Sequence, residues 1–144
     1  MKNRYILKLL MLFLLAHTTI YGYTLSVKVD NLRNSKGVVL ISLYNKDGSI
    51  PDQNYENFYK QKKVKIDNNK VVTIFENLKQ GVYAVNILHD ENNNGKIDKG
   101  LLLPTEGIGF TNFQTITILN KPDFKKASFL LDKNKTVDIK VIYF

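Results

Sequence analysis

The fold class of this chain is indicated most clearly by residues 75–88, Phe75-Glu76-Asn77-Leu78-Lys79-Gln80-Gly81-Val82-Tyr83-Ala84-Val85-Asn86-Ile87-Leu88. Gly81 marks a turn between two apolar segments. Beyond it, the odd-numbered residues from Tyr83 to Ile87 lie on one face of an extended segment. The even-numbered face, which includes Ala84 and Leu88, is also largely apolar. This period of two predicts a strand that is apolar on both faces.

The segments before this stretch carry similar signals. Tyr23–Asp30 alternates between apolar and polar residues, which predicts a half-buried strand. Val38–Tyr44 is a continuous apolar run rich in β-branched residues, and it predicts a central strand. Residues 64–66 and 71–75 flank an Asn-rich turn at Asp67–Lys70 and therefore predict a hairpin.

Three further strands are predicted after the central stretch. Thr115–Leu119 is short and alternates, and alternate apolar residues from Ala127 to Leu131 indicate another strand. Thr136–Phe144 carries apolar residues at every second position and predicts the last strand. Turn residues separate these segments at fairly regular intervals, as is typical of a β-sandwich.

Residues 49–63 are polar and carry Tyr55, Phe58 and Tyr59 at helical spacing. We interpret this segment as one or two helical turns that pack on the sandwich, because apolar stripes at this spacing mostly serve packing. The alternative is a ligand-facing aromatic patch.

These patterns predict an all-β protein, a single antiparallel β-sandwich of about seven strands of the prealbumin-like or immunoglobulin-like kind. Residues 23–144 form this one domain, and the chain has no sign of a second domain or an internal repeat. The length of 144 residues is sufficient for one core with a targeting segment before it.

Residues 1–22 have the features of a secretory signal peptide. Lys2, Arg4 and Lys8 precede a short apolar run, and Gly22 offers a small residue for cleavage. The run is shorter than the about 20 apolar residues of a membrane span, so an uncleaved anchor is the minor alternative. We therefore expect a periplasmic or secreted protein with no stable membrane span after cleavage. The chain has no cysteine, which excludes disulfides and thiolate metal sites.

The charge of the domain argues against nucleic-acid binding. Of the 21 Lys and Arg residues, three lie in residues 1–22, which leaves 18 against 13 Asp and Glu. The lysines are dispersed, and Arg33 is the last arginine. A nucleic-acid surface usually concentrates both residue types on one face.

The loop His89–Asp98 is the strongest candidate for a functional site. Oxygen-bearing side chains occupy alternate positions at Asp90, Asn92 and Asn94. Gly95 follows directly, and Asp98 lies three residues after it. This is the ligand order of an EF-hand-type calcium loop, in which alternate oxygens turn toward the ion and glycine permits the sharp reversal. The predicted calcium ligands are the side chains of Asp90, Asn92, Asn94 and Asp98 and the main-chain carbonyl of Lys96.

The loop departs from the template at its end. Leu101 stands where a bidentate Glu is expected, and no helical pattern flanks the loop. We expect Glu106 to fold back and complete the ligand set, with weak affinity in the ~10⁻⁴–10⁻³ M range. The alternative is an ion-free loop held by hydrogen bonds from side chains to the backbone.

His89 is the only histidine after residue 22. We interpret it as a residue at a strand end that hydrogen-bonds the loop. The catalytic alternative is a hydrolase that uses His89 with Asp90 or Glu106, but no serine lies in a Gly-x-Ser-x-Gly context. The long connection over residues 89–114, which includes the Gly-rich stretch Pro104–Asn112, favours an ordered functional loop.

Several motifs of the chain together resemble the DUF2141 family of exported bacterial proteins, a domain of unknown function. The resemblance rests on Gly81-x-Tyr83-Ala84-Val85, His89-Asp90-Glu91-Asn92-x-Asn94-Gly95-Lys96-Ile97-Asp98, Pro104-x-Glu106-Gly107-x-Gly109-Phe110-Thr111-Asn112, and Pro122-x-Phe124-x-x-Ala127-x-Phe129. The resemblance implies a single secreted or periplasmic domain without an established activity. Asn93 replaces the glycine common in this family, and Asn tolerates a left-handed backbone.

The segment Phe75–Tyr83 also resembles the strand–turn–strand of transthyretin-like and carboxypeptidase-regulatory-like sandwiches. The sequence therefore predicts a non-catalytic, exported module with a calcium-stabilised loop, which acts in binding or envelope structure with an unidentified envelope or extracellular partner. The alternatives are the hydrolase and a transthyretin-like carrier of small molecules.

Overall fold

The computed structural model describes residues 22–144, so the predicted signal peptide, apart from Gly22, lies outside the described residues. This part of the chain forms eight strands and one short helix. The strands are β1 Tyr23–Asp30, β2 Val38–Tyr44, β3 Lys60–Lys65, β4 Val71–Leu78, β5 Gly81–Asp90, β6 Gly107–Phe110, β7 Phe129–Leu131 and β8 Lys135–Lys140, and the helix is α1 Phe124–Ala127.

The strands form two packed sheets, so the predicted all-β sandwich is confirmed. The first sheet has the order β4-β1-β8, and the second has the order β3-β2-β5-β6. The hairpin predicted for residues 64–66 and 71–75 is wrong, because β3 pairs with β2 and β4 pairs with β1 in the other sheet. β7 pairs with the first residues of β5, whereas β6 pairs with its last residues. The structure differs from a purely antiparallel sandwich in one pair, because β1 and β8 run parallel.

The main hydrophobic core lies between the two sheets. The alternation of β1 places Leu25, Val27 and Val29 in this core, where all three are fully buried. Val85 and Ile87 of β5 face them from the second sheet. The half-buried character predicted for β1 is therefore confirmed.

A second hydrophobic cluster covers the outer face of the five-stranded sheet. It contains Leu40 and Tyr44 from β2 and Ala84 and Leu88 from β5. The continuous apolar runs of β2 and β5 follow from this arrangement, because both strands bury both faces. The cluster is closed on the outside by side chains from the connecting segments, including Ile50, Tyr55, Phe113 and Phe124.

Residues 49–59 adopt turns and residues 60–63 belong to β3, so the helical turns predicted for residues 49–63 are wrong. Asp52 organises the segment, because its carboxylate accepts hydrogen bonds from the main-chain N–H groups of Glu56 and Asn57. Tyr55 has φ 54° and is buried in the second cluster, and Phe58 packs against it. The packing role predicted for the aromatic residues is therefore confirmed for Tyr55 and Phe58.

The strand predicted at Thr115–Leu119 is also wrong. Thr117 and Asn120 close a tight turn in this segment, and the strand that joins the second sheet is β6. Gly107 and Gly109 allow β6 to approach the first sheet closely, since a Cβ on Gly109 would lie 2.6 Å from the carbonyl oxygen of Lys140. Ile108 and Ile142 exchange main-chain hydrogen bonds of 3.0 and 2.7 Å and join the sheets at this corner.

The prediction for Ala127–Leu131 is correct only in its second part. Residues 129–131 form β7, whereas Ala127 ends α1. Asp123 begins this helix because its side chain accepts a hydrogen bond from the N–H of Lys126 at 2.9 Å.

Residues 22–144 hold both sheets and both hydrophobic clusters, so they form one folding unit. Among these residues, no helix is both long enough and apolar enough to cross a membrane.

Candidate functional site

The candidate loop begins at the end of β5, where the strand leaves the sandwich. Asp90 is the last residue of β5, pairs with Val38 of β2 and is fully buried. Gly37 lies directly against it, since a Cβ on Gly37 would meet the carbonyl oxygen of Asp90 at 1.9 Å. The first predicted ligand is therefore held by the sheet itself.

The carboxylate of Asp90 makes the loop curl back on itself. Its Oδ1 accepts the N–H of Asn94 at 3.0 Å, and its Oδ2 accepts the N–H of Gly95 at 2.9 Å. Asn93 and Gly95 have φ values of 62° and 76°, in the left-handed region that favours glycine and, after it, asparagine. The reversal predicted at Gly95 is thus present.

Two asparagine side chains extend this curl and converge on Asp98. Asn92 Oδ1 accepts the N–H of Asn94 at 3.0 Å, and Asn94 Oδ1 accepts the N–H of Lys96 at 2.8 Å. Their amide groups donate to Asp98, Asn92 Nδ2 to Oδ2 at 2.6 Å and Asn94 Nδ2 to Oδ1 at 2.9 Å. The structure therefore brings the side chains of Asn92, Asn94 and Asp98 into contact, and the Asp90 carboxylate is linked to them through the N–H of Asn94.

Glu106 reaches this loop from the other side. Its Oε1 accepts the N–H of Glu91 at 2.8 Å, and its Oε2 accepts the N–H of Asp98 at 3.2 Å. Burial raises the pKa of Glu106 above its usual value, and the nearby carboxylates of Asp98 and Asp90 add to this effect. Glu106 thus folds back onto the loop, and both of its oxygens accept hydrogen bonds from the loop backbone, whereas its role as a calcium ligand stays a prediction.

The donor set is chemically suited to calcium but weakly charged. Calcium prefers carboxylate, amide and carbonyl oxygens, and the loop offers two carboxylates, two amides and the Lys96 carbonyl. To present oxygen to an ion, Asn92 and Asn94 must release the hydrogen bonds from their Nδ2 atoms to Asp98. Within residues 22–144, no group of three or more His, Cys, Asp or Glu residues is placed to hold a metal ion.

A clamp around Arg33, which the sequence pattern did not indicate, links the His89–Asp98 loop to the Pro104–Asn112 stretch. Arg33 Nε and Nη2 donate to the two carboxylate oxygens of Glu91 at 2.8 and 2.6 Å, and Nη2 also donates to the carbonyl of Thr105 at 3.0 Å. Asn34 donates a further hydrogen bond to Glu91, and the guanidinium lies 4.7 Å from the ring centre of Tyr143. The signal for this clamp was the single arginine that follows residue 22.

His89 is fully buried, and both of its ring nitrogens have partners. Nε2 lies 3.0 Å from the carbonyl oxygen of Lys36, so this nitrogen donates. Nδ1 lies 2.7 Å from the hydroxyl oxygen of Tyr143 and accepts from it in the neutral ring. His89 is therefore a hydrogen-bonding residue near a strand end, as predicted, but its partners are Lys36 and Tyr143 and not the loop, so that part of the prediction is wrong.

The two-sheet fold and its loop define the chain as an all-β sandwich domain. The profile of the family described as "Uncharacterized protein conserved in bacteria (DUF2141)" matches residues 27–140, and the chain belongs to this family. No curated protein and no solved structure matches the chain significantly. The family assignment from the sequence motifs is therefore confirmed, whereas the transthyretin-like relationship stays a prediction.

Proposed function

We propose that this protein is an exported, non-catalytic β-sandwich module whose Asp90–Asp98 loop binds calcium, and that it acts in binding or envelope structure outside the cytoplasm. The observation that supports this proposal is the proximity of the Asn92, Asn94 and Asp98 side chains, which lie 2.6 to 2.9 Å apart and would present oxygens to an ion once the two amides turn. Asp90 completes the curl that holds them, with two hydrogen bonds to the loop backbone. The spacing that suggested the site thus corresponds to side chains that lie together.

Each residue has a definite part in this proposal. Asp90 and Asp98 supply the negative charge, and the amide oxygens of Asn92 and Asn94 supply neutral ligands. The Lys96 carbonyl occupies the seventh position of the template. Glu106 acts by holding the backbone of Glu91 and Asp98, and it is available as a further ligand. The small number of carboxylates sets the affinity at about 10⁻⁴ to 10⁻³ M.

Calcium would stiffen one end of the sandwich. The loop is already linked to Thr105 and to the β1–β2 connection through Arg33. An ion held by Asp90 and Asp98 would fix the remaining part of the same surface. Loops at the ends of sandwiches commonly carry recognition surfaces, which is why we assign a binding or structural role.

The buried state of His89 supports the non-catalytic part of the proposal. A general base must reach the proton that it removes, and both nitrogens of His89 are engaged with Tyr143 and Lys36. Residues 22–144 should therefore show no activity on ester, glycoside and phosphate substrates. Activity that is abolished by His89→Ala would replace this proposal with the hydrolase alternative.

Calcium binding is tested by titration calorimetry on residues 22–144. The wild-type protein should bind one calcium ion with a dissociation constant of about 10⁻⁴ to 10⁻³ M. Asp98→Asn removes one of the two charges and should weaken binding about tenfold or more. Asp138→Asn removes an exposed acid outside the loop and is the matched control. Equal heats for wild type and Asp98→Asn would contradict the proposed site.

A further inference from the structure

Two tight turns of this protein carry aliphatic residues at their tips. In the first, the N–H of Gly100 donates to the carbonyl of Leu103 at 2.9 Å. The two residues between them, Leu101 and Leu102, are 98% and 87% exposed. Turn tips usually hold Gly, Asn, Asp, Pro or Ser. Because Leu101 and Leu102 are exposed, their side chains do not stabilise the fold by burial.

The second turn repeats this arrangement. Asn120 N–H donates to the carbonyl of Thr117 at 3.1 Å, and Ile118 and Leu119 between them are 84% and 96% exposed. The first tip residues of the two turns, Leu101 and Ile118, are 17 positions apart in the sequence. Their shared pattern indicates one function for both tips.

The second turn and the base of the first turn meet at one cleft. Both turns border one open cleft with a volume of about 1050 Å³. Leu103 lines it from the first turn, Ile118 and Leu119 line it from the second, and Ile108 and Ile116 lie between them. Leu102 lines an adjoining cleft, which shares Pro104, Ile108 and Ile116 with the first. We call the apolar surface formed by these two clefts and the exposed turn tips beside them the two-turn surface.

Lysines surround the two-turn surface. Lys99 comes directly before the first turn, and Lys121 follows the second. Lys126 Nζ lies 3.2 Å from the carbonyl oxygen of Lys121 and 3.3 Å from Oδ2 of Asp123, so its charge is paired with that carboxylate, and Lys99 and Lys121 supply the cations of this edge. The sequence has no Asp or Glu in residues 99–105 or 107–122.

We propose that the two-turn surface docks on an anionic lipid bilayer. The Leu101–Leu102 and Ile118–Leu119 tips enter the interfacial layer, while Lys99 and Lys121 contact the anionic headgroups. The observation that carries this proposal is the sequence of each turn, which places two exposed aliphatic side chains at the tip and a lysine within two residues of them. Shallow insertion of apolar side chains beneath a row of cations is the general mode of peripheral attachment to membranes.

This inference is independent of the proposed calcium site. The two-turn surface uses none of the predicted calcium ligands, and lysines supply its charge. Docking should therefore persist in EDTA. A protein that binds vesicles but not calcium, or calcium but not vesicles, would separate the two proposals.

The first test is co-sedimentation of residues 22–144 with vesicles in EDTA. The protein should pellet with vesicles of phosphatidylglycerol and phosphatidylcholine, and only weakly with phosphatidylcholine alone. Leu101→Ser/Leu119→Ser should lower the affinity about tenfold or more, because it removes buried apolar area from both tips. Val72→Ser/Leu130→Ser, at aliphatic residues that are 60% and 50% exposed on strands, should leave binding unchanged.

The second test addresses charge. Lys99→Gln/Lys121→Gln should weaken binding to the anionic vesicles by roughly fivefold for each lysine. Lys28→Gln/Lys79→Gln removes the same charge from exposed positions outside the two-turn surface and should have little effect. Equal losses for both pairs would show that only net charge matters and would overturn the proposed orientation.

Insertion itself has a direct readout, since the chain contains no tryptophan. The fluorescence of Leu119→Trp should shift to shorter wavelength on addition of anionic vesicles, whereas that of Val72→Trp should not. Wild-type protein that does not bind these vesicles would overturn the proposal. Dimerisation through the tips, or uptake of a free fatty acid, without binding to vesicles would also overturn it.

Discussion

At the scale of single residues, the ion pair between Arg33 and Glu91 makes stability depend on pH. The hydrogen bond from Arg33 lowers the pKa of Glu91 from 4.5 to about 2. Because this pKa is lower in the folded protein, the pair stabilises the fold fully above a pH of about 4.5, and the stabilisation is lost as the pH falls toward 2. The Arg33 side chain is 43% exposed, so solvent screening limits the contribution to about 1 kcal/mol.

Glu91→Gln should therefore lower stability at neutral pH and flatten the acid side of the profile of melting temperature against pH. Glu76→Gln, at an exposed strand position, should keep the wild-type profile. Glu106 is present in all three proteins, so the difference between the profiles reports Glu91. Parallel profiles for Glu91→Gln and wild type would contradict the assigned ion pair.

The backbone at Asn93 leads to a second prediction at this scale. Asn93 is exposed and has φ 62°, a conformation that costs an ordinary L-residue about 1 to 2 kcal/mol. Asn93→Gly should leave stability nearly unchanged, whereas Asn93→Ala should reduce the free energy of unfolding by about 1 kcal/mol. Chemical denaturation measures both values. Equal stability of the Gly and Ala variants would show that residue 93 does not require this conformation.

At the scale of single elements, the outer face of β5 belongs to the core. Leu88 is fully buried in the second cluster, so Leu88→Ala should cost about 2 to 5 kcal/mol in urea unfolding. Leu130→Ala, at a residue that is 50% exposed, should cost about 0.5 kcal/mol or less. A small effect of Leu88→Ala would mean that the connecting segments do not seal this face.

The sequence predicted the strands whose burial follows a simple period. β1 alternates and β5 has two apolar faces, and both patterns follow directly from the packing of the sheets. Several elements were not predicted, and in two of them a local feature overrides the pattern. The turn at Thr117–Asn120 interrupts an alternating segment, and β6 is a strand because Gly107 and Gly109 permit close approach to the first sheet.

At the scale of the whole molecule, the loop ligands were predictable because their spacing is local. Asp90, Asn92 and Asn94 act within one curl of backbone, so the sequence alone indicates that they converge. The Arg33 clamp joins residues that are 58 positions apart, and no local pattern predicts such a contact. The parallel pairing of β1 with β8 was not predicted for the same reason, because it joins the first and last strands and depends on the path of the entire chain.

The measurement that tests the calcium-stabilised loop most directly is thermal unfolding of residues 22–144 in EDTA and in calcium. Calcium at about 100 times its dissociation constant should add about 2.7 kcal/mol, a rise of several degrees in melting temperature for a domain of this size. The rise should be absent in Asp90→Ala/Asp98→Ala, strongly reduced in Asp98→Asn and retained in Asp138→Asn. Identical melting temperatures of the wild-type protein in EDTA and calcium would contradict the account and would make the loop an ion-free structural turn.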